Sequence, residues 1–271
     1  MSKNIKVGFI GNGNMGGALA LAVAKAGYSV VLYDPDAEKS KSLAEKTGGS
    51  VALSNIDVLK SSDFVFIGVK PQMLEALSKD IRPALDEMGD TAPVLVSMAA
   101  GTSLGRLCEL FGDIKIIRIM PNTPVAAGKG MTVWCSSERV SDTDKAVFND
   151  FMKESGRVDP IDEKLIDAAS AVSGCGPAFV YMFIEALADG GVLCGLPRDK
   201  ALTYAAQTLS GAAEYLMISG EHPGKLKDNV CSPGGTTIEG VRTLEENGFR
   251  SAASEAVIAA YKKTLDLAKK K

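Results

Sequence analysis

The stretch Ile5-Lys6-Val7-Gly8-Phe9-Ile10-Gly11-Asn12-Gly13-Asn14-Met15-Gly16 decides the fold. A short apolar run ends on glycine, and the Ala- and Leu-rich residues Met15 to Ala26 follow it, closed by Gly27. The run has strand composition and its sequel helix composition, so the segment reads as strand, turn, helix. Within it, Gly11 to Gly16 fits G-x-G-x-x-G in the structural context that gives this pattern meaning. The first glycine permits the tight turn, the second lets the main chain approach a pyrophosphate, and the third brings helix against strand. The helix start adds N–H donors and the positive end of a dipole, so a dinucleotide is the natural ligand.

Downstream, strand-like and helix-like segments alternate. Tyr28 to Tyr33 is a β-branched run followed by a polar helix, Asp36 to Lys46; Phe64 to Val69, Val94 to Met98 and Lys115 to Met120 are further strands. Helices fall near Gln72 to Leu85 and Leu104 to Leu110. Such alternation implies a doubly wound parallel sheet with helices on both faces. Beyond about residue 160 the strand composition disappears. Glu163 to Ala171, Ala178 to Cys194, Arg198 to Ile218, Thr237 to Glu246 and Arg250 to Lys270 all read as helices, with Lys269-Lys270-Lys271 a solvated helix end. The expected architecture is α/β, a nucleotide-binding sheet over residues 1–160 followed by an all-α domain over residues 161–271. The helices are rich in Ala and Gly and leave apolar faces that a small domain does not cover alone, which points to an oligomer.

Composition excludes other classes. With 271 residues, 46% hydrophobic and 23% charged, the chain can bury a large core without metals or disulfides. A net charge of −3 gives no basic field for a nucleic acid. No run of 18 or more uncharged apolar residues occurs and Met1 to Asn4 lead directly into a strand, so a cytoplasmic protein without membrane association is expected. Five scattered cysteines read as free thiols, and the single histidine, His222, leaves no multi-histidine metal site and more plausibly serves structure than catalysis.

Asp34 stands 18 residues beyond Gly16, at the end of the second strand. A carboxylate there accepts from the adenosine 2′-hydroxyl and repels a 2′-phosphate, which favours NAD(H); Asp34-Pro35-Asp36 also suits a turn into a helix, the lesser alternative. Val69-Lys70-Pro71 and Ala99-Ala100-Gly101 follow later strands at the end of the sheet where such folds bind ligands. Lys227 to Thr237 holds small polar residues, two glycines and two threonines just before a helix. The N–H groups of Gly234, Gly235 and Thr236 could cradle a carboxylate, and a simple capped helix start is the alternative.

Met120-Pro121-Asn122-Thr123-Pro124, Ser173 to Ala178, Leu187 to Gly191 with Gly195-Leu196-Pro197, and His222 to Thr237 together resemble the pyrroline-5-carboxylate reductase family along essentially the whole chain. The resemblance implies an N-terminal Rossmann domain, a C-terminal helical dimerisation domain, and homodimers that in many members form a decamer of five dimers. It implies hydride transfer from NADPH or NADH to a cyclic imine, giving L-proline. By matching motif, Asn229, Ser232, Gly234, Gly235, Thr236 and Thr237 would surround the substrate, with Thr237 on the ring nitrogen. Gly11, Gly13, Asn14, Met15, Asn55, Val69, Lys70, Pro71, Ala99, Asn122 and Pro177 would line the cofactor. Cys175 stands where the family often has serine and Thr236 where alanine is common; Asp34 replaces the Ser or Asn of many NADPH-using members. A hydroxyacid dehydrogenase needs a motif lysine in the helical half, and Lys164 and Lys200 lie in no such motif; that reading, or a dinucleotide sensor without catalysis, would also leave the Ser232 to Thr237 run without a task.

Overall fold

The chain is described by a computed structural model over residues 5–269. The Met1 to Asn4 lead, Lys270, Lys271 and the side chains of Leu267, Ala268 and Lys269 lie outside the described residues. There are two compact units, one formed by the residues up to Gly174 with those from Tyr261 on, the other by Cys175–Ala260.

The first unit runs β1 (Lys6–Ile10), α1 (Asn14–Lys25), β2 (Ser29–Tyr33), α2 (Ala37–Thr47), β3 (Ser50–Val51), α3 (Asn55–Lys60), β4 (Phe64–Ile67), α4 (Leu74–Met88), β5 (Val94–Ser97), α5 (Leu104–Phe111), β6 (Ile116–Met120), β7 (Gly130–Ser136), α6 (Asp142–Met152), β8 (Gly156–Pro160) and α7 (Glu163–Ala169). The strands form one sheet in the order β3-β2-β1-β4-β5-β6-β7-β8. Successive side chains of a strand point to opposite faces, so each central strand feeds two cores. Phe64 and Phe66 join Phe9, Trp134, Phe148 and Phe151 on one face, where Phe9 and Phe66 stack with ring centres 4.6 Å apart. Val65 and Ile67 join Ile81, Leu85, Leu95, Leu107 and Phe111 on the other.

The sheet departs from the expected all-parallel form at one place: β6 and β7 pair antiparallel, with Ile119 opposite Trp134. The cause is the connection, a single 3-10 turn, Thr123–Ala127, too short for the crossover that a parallel neighbour requires. A crossover returns in the next step, where α6 links β7 to the parallel β8. Ser141 starts α6 with a capping box, its hydroxyl accepting from the Asp144 N–H while the Asp144 carboxylate accepts from the Ser141 N–H.

The second unit contains α8 (Gly176–Leu193), α9 (Arg198–Ser219), α10 (Pro223–Asn229), α11 (Thr236–Glu246) and the start of α12 (Phe249–Lys269). Although α8 and α9 are rich in apolar residues, they bury only Ala188, Ala201 and Ala205. Tyr181, Met182, Tyr215, Met217 and Ile218 are exposed. The stretch Glu163–Leu193 is long and apolar enough to cross a membrane by length and composition, with a mean hydropathy of 1.4 over its most apolar 18-residue window.

At the sheet's carboxyl edge the backbone itself is the packing surface. A Cβ on Gly68 would lie 2.6 Å from the Gly11 carbonyl oxygen, whereas one on Gly13 would meet nothing within 4 Å. Gly68→Ala is therefore expected to lower stability by about 1–3 kcal/mol, while Gly13→Ala shifts it by no more than about 0.5 kcal/mol. Urea midpoints of the two variants against the parent chain check this contrast.

Candidate functional site

Gly11 turns the chain out of β1 at φ +93° and donates its N–H to the Tyr33 carbonyl, and Gly16 follows on the first turn of α1. Gly13 is the N-cap and has no side chain, so the N–H groups of Asn14, Met15 and Gly16 open the helix without a side-chain partner. These are the donors a pyrophosphate needs. Val69, Lys70 and Pro71 stand past β4, Ala99 past β5 and Asn122 past β6. Because β1, β4, β5 and β6 are successive neighbours, the expected contacts form one row along the carboxyl edge of the sheet.

The loop holds further groups. Asn12, 7% exposed, donates its N–H to Asp34 Oδ2 at 2.8 Å and its Nδ2 to Ser40 Oγ at 2.9 Å, tying the loop to β2 and α2. The sequence reading passed over Asn12, although a polar residue between two glycines of this loop was the available cue. Asn55, the first residue of α3, donates Nδ2 to Asp80 at 2.8 Å. The Oδ1 atoms of Asn12 and Asn55 are buried and accept from no group among the described residues. An orphaned acceptor on Asn12, within the glycine loop, fits a dinucleotide, whose ribose hydroxyls are donors.

Two residues brace this edge. Asn122 donates Nδ2 to the Ser173 carbonyl at 2.9 Å and accepts from the Met131 N–H at 2.8 Å. Its side chain braces β6, β7 and the π-helical turn Ser170–Gly174. Arg118, 4% exposed, pairs with Glu163 at 3.1 Å and Asp167 at 2.9 Å, and Glu163 Oε1 also accepts from the Leu104 N–H at 2.6 Å. Nearby Cys135 is inert: burial pushes its thiol up to about 12, with Glu163 adding to the shift and Arg118 opposing it. Lys70 is exposed, without the burial an amine nucleophile requires. His222 caps α10, its Nδ1 accepting from the Gly224 N–H at 3.1 Å.

The remaining expected residues belong to the second unit. Pro177 lies in the first turn of α8, and Asn229 lines an apolar cavity of ≈ 740 Å³ with Tyr215, Leu216, Leu226 and Val230. Gly234 turns at φ +67° and Gly235 is the N-cap of α11. The Gly235 N–H donates to the Ser232 carbonyl at 3.0 Å and is not available to an anion. That correction leaves Gly234 and the first-turn residues Thr236 and Thr237 as donors, all exposed in the chain.

A glycine loop with unsatisfied helix-start donors, at the first strand–helix turn of a doubly wound sheet, defines a dinucleotide-binding protein. Residues 6–101 match the family described as NADP oxidoreductase, coenzyme F420-dependent, and residues 163–267 match that described as pyrroline-5-carboxylate reductase dimerisation. Over 98% of its length the chain is 40% identical to pyrroline-5-carboxylate reductase of Pisum sativum, covering 97% of that protein. It is 41% identical to the Escherichia coli (strain K12) enzyme of the same name over 97% of this chain and 98% of that one. Among solved structures, Plasmodium falciparum pyrroline carboxylate reductase with NADP bound superposes with a TM-score of 0.84 at 38% identity, covering 96% of this chain and 98% of that one. The chain belongs to the pyrroline-5-carboxylate reductase family.

Replacing Asn122 by Ala strands a backbone N–H and a carbonyl, and the expected loss is about 1–3 kcal/mol for each group left buried without a partner. Asn122→Asp keeps the acceptor for Met131 but sets a carboxylate oxygen against the Ser173 carbonyl, so it too destabilises. Thermal midpoints at neutral pH measure both.

Proposed function

We infer that this chain reduces L-1-pyrroline-5-carboxylate to L-proline with hydride from NADPH or NADH, the last step of proline biosynthesis. Full-length similarity to reductases of that name supports the activity. The observation that carries it to chemistry is the Ser232 to Thr237 turn, whose glycines and helix-start donors match a small carboxylate.

In this reading residues 1–160 hold the dinucleotide and residues 161–271 hold the substrate and a second subunit. Gly11, Gly13, Asn14 and Met15 take the pyrophosphate, Asp34 and Asn55 the adenosine ribose; Val69, Lys70, Pro71, Ala99, Asn122 and Pro177 line the remainder. When bound, the reduced nicotinamide supplies the hydride. The N–H groups of Gly234, Thr236 and Thr237 hold the substrate carboxylate, Asn229 and Ser232 flank it, and the Thr237 hydroxyl fixes the ring nitrogen. An imine that arrives protonated is already an electrophile, so the chain positions it and excludes water without a strong acid. This suits a sequence whose one histidine is a helix cap.

Exclusion of water requires a cover. The start of α11 is exposed in one chain, and the apolar surfaces of α8 and α9 seek a partner. A homodimer, assembling five-fold into a decamer in the cytoplasm, supplies both. The substrate is a small molecule, with no nucleic acid or membrane involved.

Oxidation of the reduced cofactor on adding pyrroline-5-carboxylate, with proline as the product, is the expected assay result. No turnover by a folded chain that binds the cofactor would return the choice to a hydroxyacid dehydrogenase or a sensor. Thr237→Ala should lower kcat/KM by roughly five- to 150-fold, equivalent to about 1–3 kcal/mol. Unchanged kcat/KM in that variant would remove Thr237 from the ring nitrogen.

A further inference from the structure

We propose that Asp34 makes this chain select NADH over NADPH, because its carboxylate is fixed against the glycine loop where the adenosine ribose must lie. The inference rests on the dinucleotide-binding reading of the loop and not on the identity of the imine.

Asp34 directly follows β2, and its two oxygens are held from two sides. Oδ2 accepts from the Asn12 N–H at 2.8 Å and Oδ1 from the Asp36 N–H at 2.9 Å. The first bond binds the carboxylate to a residue between the loop glycines, and the second closes a local turn. To swing aside, the side chain would have to abandon both N–H groups, and the Asn12 N–H is part-buried. The charge therefore stays in place.

A carboxylate offers about four acceptor sites. Two N–H groups use two of them, leaving acceptors for the hydroxyls of a ribose. A 2′-phosphate has acceptor oxygens and about −1.5 to −2 charges at neutral pH, so the same carboxylate repels it. The segment that follows β2 does not offset this charge. Asp36 and Glu38 add negative charge after β2, and the nearest downstream cations are engaged with them: Lys39 with Asp36 at 3.5 Å and Lys41 with Glu38 at 2.9 Å. No arginine occurs between Asp34 and Thr47 to grip a phosphate bidentately.

Direct titration of the intact protein with NADH and with NADPH, by nicotinamide fluorescence and without any imine, tests the proposal. The expected Kd for NADPH is at least about tenfold the larger, and the ratio shrinks at high salt. Asp34→Asn keeps an acceptor but removes the charge. It should tighten NADPH and weaken NADH, narrowing the ratio by at least about tenfold. Equal or tighter binding of NADPH by the parent chain, or an unchanged ratio in a folded Asp34→Asn, would overturn the proposal. Discrimination in binding without turnover of pyrroline-5-carboxylate would leave it standing and defeat the reductase assignment instead.

Discussion

The Gly11 carbonyl oxygen is the point on which the nucleotide-binding edge of the sheet closes. A Cβ on Gly16 would lie 2.3 Å from it and one on Gly68 2.6 Å, both closer than real side-chain carbons come. Three backbone segments converge there, the end of β1, the first turn of α1 and the end of β4, with glycine allowing each to approach. The approach packs α1 onto the sheet, and it opens the helix start as a ring of donors. Stability and ligand capacity thus share one constraint. The strand beside it adds a second tie, since Gly11 and Asn12 donate to Tyr33 and Asp34.

Much of this was legible in the sequence because local chemistry and tertiary structure agree there. The runs read from Ile5 to Gly11, Tyr28 to Tyr33, Phe64 to Val69, Val94 to Met98 and Lys115 to Met120 each contain a strand, ending at Ile10, Tyr33, Ile67, Ser97 and Met120, and the helices between them fall within a few residues of their expected limits. What escaped was the region from Gly130 to Pro160. β7 mixes Thr132 and Ser136 with Val133 and Trp134, a pattern without clean alternation, and it reverses direction because of a turn whose geometry is not a composition. Ser141-Asp142-Thr143-Asp144 was a readable helix start that opens α6. β3 and α3, at two and six residues, lie below the length at which periodicity speaks.

Residues of the site were legible where they act through the backbone, and obscure where they act through distant partners. The glycines declared themselves by spacing. Asn122 declared a motif, yet its side chain turns out to join Met131 and Ser173, nine and 51 positions away. Arg118 gave no sign at all inside an apolar strand. Its buried charge is tolerable only because Glu163 and Asp167 arrive on one face of α7, four residues apart. The pair could not be read before the helix was placed over β6.

The second unit poses the opposite problem, since its helices were expected and its packing was not. In water a helix that is apolar on all sides belongs inside something. α8 and α9 bury three alanines between them while large side chains such as Tyr181, Met182 and Met217 stay exposed. Covering a side chain of that size is worth about 1.5–3 kcal/mol, so several together outweigh the cost of bringing two chains together. The dimerisation family matched by residues 163–267 spans these same helices. Small residues at Ala188, Ala201 and Ala205 let α8 and α9 touch closely along one line, which leaves their bulky faces for a second chain. Association then completes this unit's core.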